Sequence, residues 1–165
     1  MTFPTPRGEK QIIDCFGDIK RYINQDGTID AMDWELNFMG FVNLPYPLPL
    51  AWDLSKKIMV MKCHKKLVPV FSELFAEIVS DGLWEHIKTF GGCYNFRTQR
   101  NSVSKLSLHS WGAALDLNTE TNQQGTPGDM DESLVKMFNK HNFEWGGTWS
   151  GKRIDPCHFQ FAVDY

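Results

Sequence analysis

No stretch of this chain approaches the ~20 consecutive apolar residues that a membrane-spanning helix needs. The N-terminus, Met1 to Arg7, has no charged region followed by an apolar run, so no signal peptide is expected and synthesis in the cytoplasm is. Cysteine is sparse: Cys15, Cys63, Cys93 and Cys157 are scattered and form no C-x-x-C pair. With no export signal, these thiols are expected to be free. Basic residues are in the minority, with a net charge of −3. That balance argues against nucleic acid as the main partner, because phosphate binding needs a basic surface. Repeats, low-complexity tracts and linkers are also missing. At 165 residues, residues 1–165 are therefore read as a single domain, large enough to bury its own core, and a monomer is expected.

What the chain does have is aromatic residues. Twelve Phe and six Trp are enough for core packing and for an aromatic-lined groove. Residues 8–23 predict a short helix interrupted by Gly17, and Asn24 to Gly27 a turn. Trp34, Leu36 and Phe38 alternate with polar residues, which predicts a strand over Trp34–Val42. Pro45, Pro47 and Pro49 argue against a central strand after it. Lys57–Cys63 reads as a strand. Residues 66–80 carry Leu67, Phe71, Leu74 and Ile78 at helical spacing, with Pro69 in the first turn and Gly82 past the end. A second helix is predicted from Glu132 to Lys140, capped by Asp129 or Asp131.

Two polar groups interrupt this framework. The first is Ser107-Leu108-His109-Ser110-Trp111-Gly112-Ala113-Ala114-Leu115-Asp116-Leu117; the second is Asp155-Pro156-Cys157-His158-Phe159-Gln160. Over 157–163 the alternation places Cys157, Phe159, Phe161 and Val163 on an apolar face and His158 and Gln160 on the other. A strand over 113–118 would likewise turn Ala114 and Asp116 away from the core. Asp116 and His158 can then share one polar face, with His109 reaching in from a loop. Two imidazoles and a carboxylate leave an open position on a divalent metal, and the spare carboxylate of Asp155 can take a proton from water. Spacing alone leaves a metal site and a set of satisfied structural polar groups equally open. On the same pattern, Cys157 reads as a buried small hydrophobe, and His64, His86 and His141 as surface or packing residues.

Ser107-x-His109-x-x-Gly112-x-Ala114-x-Asp116 resembles the SxHxxGxAxD signature of the D-Ala-D-Ala carboxypeptidase-like (VanY) zinc peptidases. Trp145-Gly146-Gly147-x-Trp149 followed by Asp155-x-x-His158-Phe159 resembles the second signature of the L-alanyl-D-glutamate endopeptidase and endolysin subgroup. Gly92 to Arg97 is similar to the segment that precedes the first signature. The resemblance spans about 64–165, with residues 1–63 expected to complete the same domain. It implies an α+β fold of the hedgehog and D-Ala-D-Ala peptidase type, a small antiparallel sheet with helices packed on one side. It implies one zinc ion held by His109, Asp116 and His158. Asp155 would be the general base, where many relatives have Glu, and Arg97 would bind substrate and steady the oxyanion. Ser107, Trp111 and Trp149 are candidate substrate contacts.

The function so implied is hydrolysis of an amide bond in peptidoglycan stem peptides by an L-alanyl-D-glutamate endopeptidase, with a D-Ala-D-Ala carboxypeptidase as the alternative. The enzyme would act on the cell wall after release, as a phage lysin, or on muropeptides inside the cell. A non-catalytic zinc-containing binding module is the rival of another class, and the presence of Asp155 and Arg97 argues against it. A non-haem iron oxygenase would use His-x-Asp spacing, which is absent, and would leave Asp155 without a role.

Overall fold

The computed structural model describes residues 4–100 and 102–165. Four helices and six strands form an α+β architecture: α1 (Gly8–Phe16), α2 (Ala31–Phe38), β1 (Met39–Leu50), β2 (Asp53–His64), α3 (Val68–Ser80), β3 (Phe90–Gly92), β4 (Ala114–Leu117), α4 (Glu132–Lys140), β5 (Glu144–Trp145) and β6 (His158–Gln160). The strands make one sheet in the order β2-β1-β3-β4-β6-β5. All neighbours are antiparallel except β1 and β3, which meet in parallel at Leu50 and Phe90. Among the described residues no helix is long and apolar enough to cross a membrane.

The helices follow local rules. Gly17, at φ 98°, ends α1. Pro69 occupies the first turn of α3, and Gly82 follows its end at φ 72°. Asp131 caps α4 by accepting hydrogen bonds from Ser133 N and Leu134 N, while Asp129 instead bonds Thr121 and Asn122. The buried stripe of α3, Val70, Phe71, Leu74, Phe75 and Ile78, supplies roughly 1.5–3 kcal/mol per large apolar side chain. A single apolar cluster runs from Ile12 through these residues to Tyr165. In it Phe138 of α4 stacks on Phe159 of β6 at 4.0 Å, which fixes the face that β6 turns away from the core.

Two expectations for the first half of the chain are corrected. Trp34 to Phe38 is helical, as the end of α2. Asp30 caps this helix by accepting from Asp33 N, and Trp34 and Phe38, one turn apart, stack with ring centroids 4.2 Å apart. Leu36, which completed the apparent alternation, is 80% exposed. The proline-rich segment is a strand, β1, paired with β2. Pro45 and Pro47 fall in the register shift between Asn43 and Leu48, and β1 meets β3 at one residue pair only. Most of its second edge therefore asks for no N–H donor, which is where a strand tolerates proline. At the other end of the chain, the alternation over 157–163 yields strand only at His158–Gln160.

His64, at the end of β2, is fully buried. Its Nε2 lies 3.0 Å from Phe16 O, and its Nδ1 accepts from Lys66 N at 3.2 Å. The ring thus serves as a neutral bridge between α1 and β2. Burial lowers its pKa to about 4, with Lys66 and Lys65 adding to the effect against the Phe16 hydrogen bond. An unfolded chain takes up this proton near pH 6.5, so stability falls as pH drops from about 6.5 towards 4. This one group is expected to cost on the order of 3 kcal/mol across that window. Urea unfolding of His64→Gln should show lower stability at pH 7 and a flatter pH dependence than the wild type. Equal slopes would remove His64 as the cause.

Candidate metal centre

The segment that carries His109 is a tight turn held from several sides. Leu108–Trp111 forms a 3-10 turn whose cap, Ser107, accepts from His109 N through its hydroxyl at 3.4 Å. Gly112 ends it at φ 62°, and a Cβ there would lie 2.8 Å from His64 N and 2.6 Å from Met39 Cε. Only glycine fits both the backbone angle and the space. Ser110, fully buried, accepts from Arg97 N at 3.0 Å and donates to Arg97 O at 2.9 Å. Asn95 N donates to His109 O. The turn is thereby clamped against residues 95–97 before any side chain reaches the site.

Asp116 and His158 come from the sheet itself. They are directly opposed in the β4–β6 ladder, so their side chains leave the same face side by side. His158 Nδ1 lies 2.8 Å from Asp116 Oδ1. His109 Nε2 lies 3.2 Å from both atoms. Both rings are almost fully buried.

The outer nitrogens decide which atoms face the centre. His109 Nδ1 lies 2.8 Å from Cys93 O, a pure acceptor, so that nitrogen carries the proton. His158 Nε2 lies 3.1 Å from Gln160 Oε1. The amide of Gln160 is oriented in turn, because its Nε2 donates to Glu144 Oε2 at 2.8 Å and to Ala162 O at 3.2 Å. Each ring in its neutral form therefore presents an unprotonated nitrogen to the carboxylate and to the other ring. Two lone pairs and an anion converging in a buried space repel one another unless a positive charge joins them. The same demand shows in the titrations. Burial alone would raise the Asp116 carboxyl, but His109 and then His158 outweigh it and hold the group well below the usual carboxylate range. Burial opposes charge on His158, yet the Asp116 hydrogen bond and charge outweigh it and raise the pKa.

These three residues could hold a metal ion. Their separations fit one: bonds of about 2.1 Å in tetrahedral geometry set donors about 3.4 Å apart. The imidazole–imidazole–carboxylate set suits zinc and leaves a fourth position open.

Asp155 lies beside this group in a turn. Its N–H donates to Gly146 O, and its carbonyl accepts from His158 N, both at 3.0 Å. A Cβ on Gly146 would come within 2.5 Å of Asp155 O, so the Gly146–Gly147 sequence is what lets the turn close. Trp145 Nε1 fastens the next residue by donating to Pro156 O. Burial raises the Asp155 carboxyl above its ordinary value. Cys157 is buried as expected, but it belongs to this turn and not to the strand, and its thiol donates to Asp155 Oδ1 at 3.2 Å.

Two cavities flank the site. One, of about 320 Å³, includes Asp155, His158, Ser107 and Trp149 in its wall. The other, of about 830 Å³, includes His109, Asp116, Trp52, Phe90 and Tyr94. Arg97 and Arg100 line both. Trp149 sits 5.4 Å from the His158 ring. Trp111 is corrected as a substrate contact: it is fully buried, and its Nε1 donates to Gly17 O at 2.9 Å. Being on the inner side of the His109 turn, it anchors α1 instead.

Residues 100–161 match the family model described as D-alanyl-D-alanine carboxypeptidase. No curated protein matches the chain. The matched span contains His109, Asp116, Asp155 and His158, and the match supports a likeness to the VanY-type peptidases. Arg97 lies outside it.

Sequence reasoning missed Ser110, Glu144 and the carbonyl of Cys93. Gln160 was visible on the His158 face, but nothing in the spacing connects it to Glu144. Support of this kind typically governs metal affinity 10–100-fold. Replacing Gln160 with Ala is expected to weaken zinc binding by roughly that factor, measured by competition with a chromophoric chelator. Unchanged affinity would show that the Glu144–Gln160–His158 chain does not orient the ring.

Proposed function

We propose that this protein is a zinc metallopeptidase that hydrolyses an amide bond in peptidoglycan stem peptides, as an L-alanyl-D-glutamate endopeptidase. The observation that carries the reading is the convergence of His109 Nε2, Asp116 Oδ1 and His158 Nδ1 within 3.2 Å of one another, with a spare carboxylate next to it. The family match supports the peptidase class. Cavities on both sides of the site favour an endopeptidase, which must seat chain on either side of the scissile bond. The family description itself favours the second reading, a D-Ala-D-Ala carboxypeptidase.

His109, Asp116 and His158 would hold the ion. A bound zinc ion supplies Lewis acidity, which polarises the scissile carbonyl and lowers the pKa of water. Asp155 acts on the proton. Cys157 occupies Oδ1, which leaves Oδ2 to accept a proton from the attacking water and return it to the leaving nitrogen. The raised pKa of the carboxyl suits a group that must hold that proton between the two steps. Arg97 lines both cavities and would bind the substrate across the scissile bond and donate to the developing oxyanion. Trp149 and Ser107 contribute wall to the smaller cavity. The site of action is the cell wall after release, or muropeptides inside the cell.

The zinc-loaded protein is expected to cleave purified muropeptides between L-alanine and D-glutamate, as read by mass spectrometry. Loss of a terminal D-alanine would select the carboxypeptidase, and intact muropeptides would sink both readings. Asp155→Ala should keep its zinc and lose about 10²–10⁴-fold in rate. Unchanged turnover in that variant would exclude Asp155 as the base.

A further inference from the structure

Four cationic side chains, Arg97, Arg100, Lys105 and Arg153, line the cavity of about 320 Å³ that also holds Asp155 and His158. The chain carries a net charge of −3, so this is a local concentration and not part of a basic surface. Among the described residues, no ion pair joins any of the four to a side-chain carboxylate. Arg97 donates to Thr98 O, and Arg100 to the amide oxygen of Gln124 at 3.1 Å. Lys105 Nζ lies 4.1 Å from the Tyr165 ring centroid. Arg153 lies over Trp149 and donates to Tyr165 O at 3.0 Å. Burial, and then Arg153, lower the pKa of Lys105 against the opposing charge of Glu9. Asp155 is the one acid in the wall, and the proposed mechanism needs it for the proton.

The opposite cavity differs. Trp52, Ile58, Val60, Met61, Phe90 and Tyr94 make much of its wall. Arg97 and Arg100 are common to both walls and Lys62 stands in the larger one; the smaller cavity adds the cations Lys105 and Arg153, and the larger one adds the apolar and aromatic surface. Guanidinium groups match carboxylates through paired N–H donors, and an ammonium adds a point charge.

We propose that the cationic cavity binds the free carboxylates of an acidic peptide segment on one side of the scissile amide, and that the enzyme distinguishes a γ-linked D-glutamyl residue with a free α-carboxylate from its amide, isoglutamine. The inference rests on the peptidoglycan-peptidase reading and adds Arg100, Lys105 and Arg153 as specificity-determining residues. In a γ-linked chain the α-carboxylate stays ionised next to the bond that is cut. Amidation removes that charge and leaves the cations unanswered.

Binding of γ-D-glutamyl-L-lysine and of its α-amide to the full-length zinc-loaded protein tests this by calorimetry. The acid is expected to bind at least about tenfold more tightly than the amide, with the difference shrinking as salt is added. Lys105→Gln and Arg153→Gln should each reduce the preference, while Lys152→Gln, outside the cavity wall, should not. Equal affinities for acid and amide, or no binding of either, overturn the proposal. Hydrolysis is read separately on L-alanyl-γ-D-glutamyl-L-lysine. Absence of cleavage there counts against the peptidase reading, while the binding comparison stands by itself.

Discussion

Asp116 and His158 face each other across two short strands, and the rest of the site is arranged around that pairing. Opposed residues in an antiparallel ladder have Cβ atoms about 4.5–5.5 Å apart, which is fixed by main-chain hydrogen bonds and not by the side chains themselves. A carboxylate and an imidazole placed there meet without any loop having to order. Only His109 arrives from outside the sheet. Its turn is correspondingly the most braced element in the neighbourhood, with Ser107, Ser110 and the steric requirement at Gly112 all acting on five residues.

The core and the site are two faces of the same strand. Phe159 stacks on Phe138 behind the sheet, and His158 and Gln160 stand on the front. A slip of one residue in β6 would turn His158 into the apolar core and Phe159 onto the face of the site. Apolar packing thus holds the register on which donor convergence depends. Glu144, two strands from Asp116 in the sheet order, extends the front face by fixing Gln160.

Much of this was legible in the residues because short strands obey a two-residue period and capped helices obey a 3.6-residue one. The shared face of Asp116 and His158 and helices α3 and α4 followed from those periods, while the α+β class followed from the family resemblance. Helix α2 did not, because Trp34 and Phe38 fit both patterns while Leu36 completed only the strand one, and the Trp34–Phe38 stack and the Asp30 cap separate them. The proline strand was hidden because its open edge is a property of sheet order, which no local rule contains. Trp111 and the strand face given to Cys157 misled for a related reason. Each was judged from its neighbours in sequence, whereas Gly17 O and Asp155 Oδ1, their partners, are set by the tertiary fold. The inward orientation of the two rings was likewise out of reach, since it depends on Cys93 O and Gln160 Oε1.

Arg97, Gln99, Arg100 and Ser102 form part of the wall of both cavities. One short loop is therefore a hinge point between the two halves of the binding surface. A substitution there reshapes the pockets for both flanking pieces of a bound chain at once. Preferences on the two sides cannot drift apart independently through this loop. They can diverge only through positions that belong to one wall alone, such as Trp52 on one side or Lys105 and Arg153 on the other.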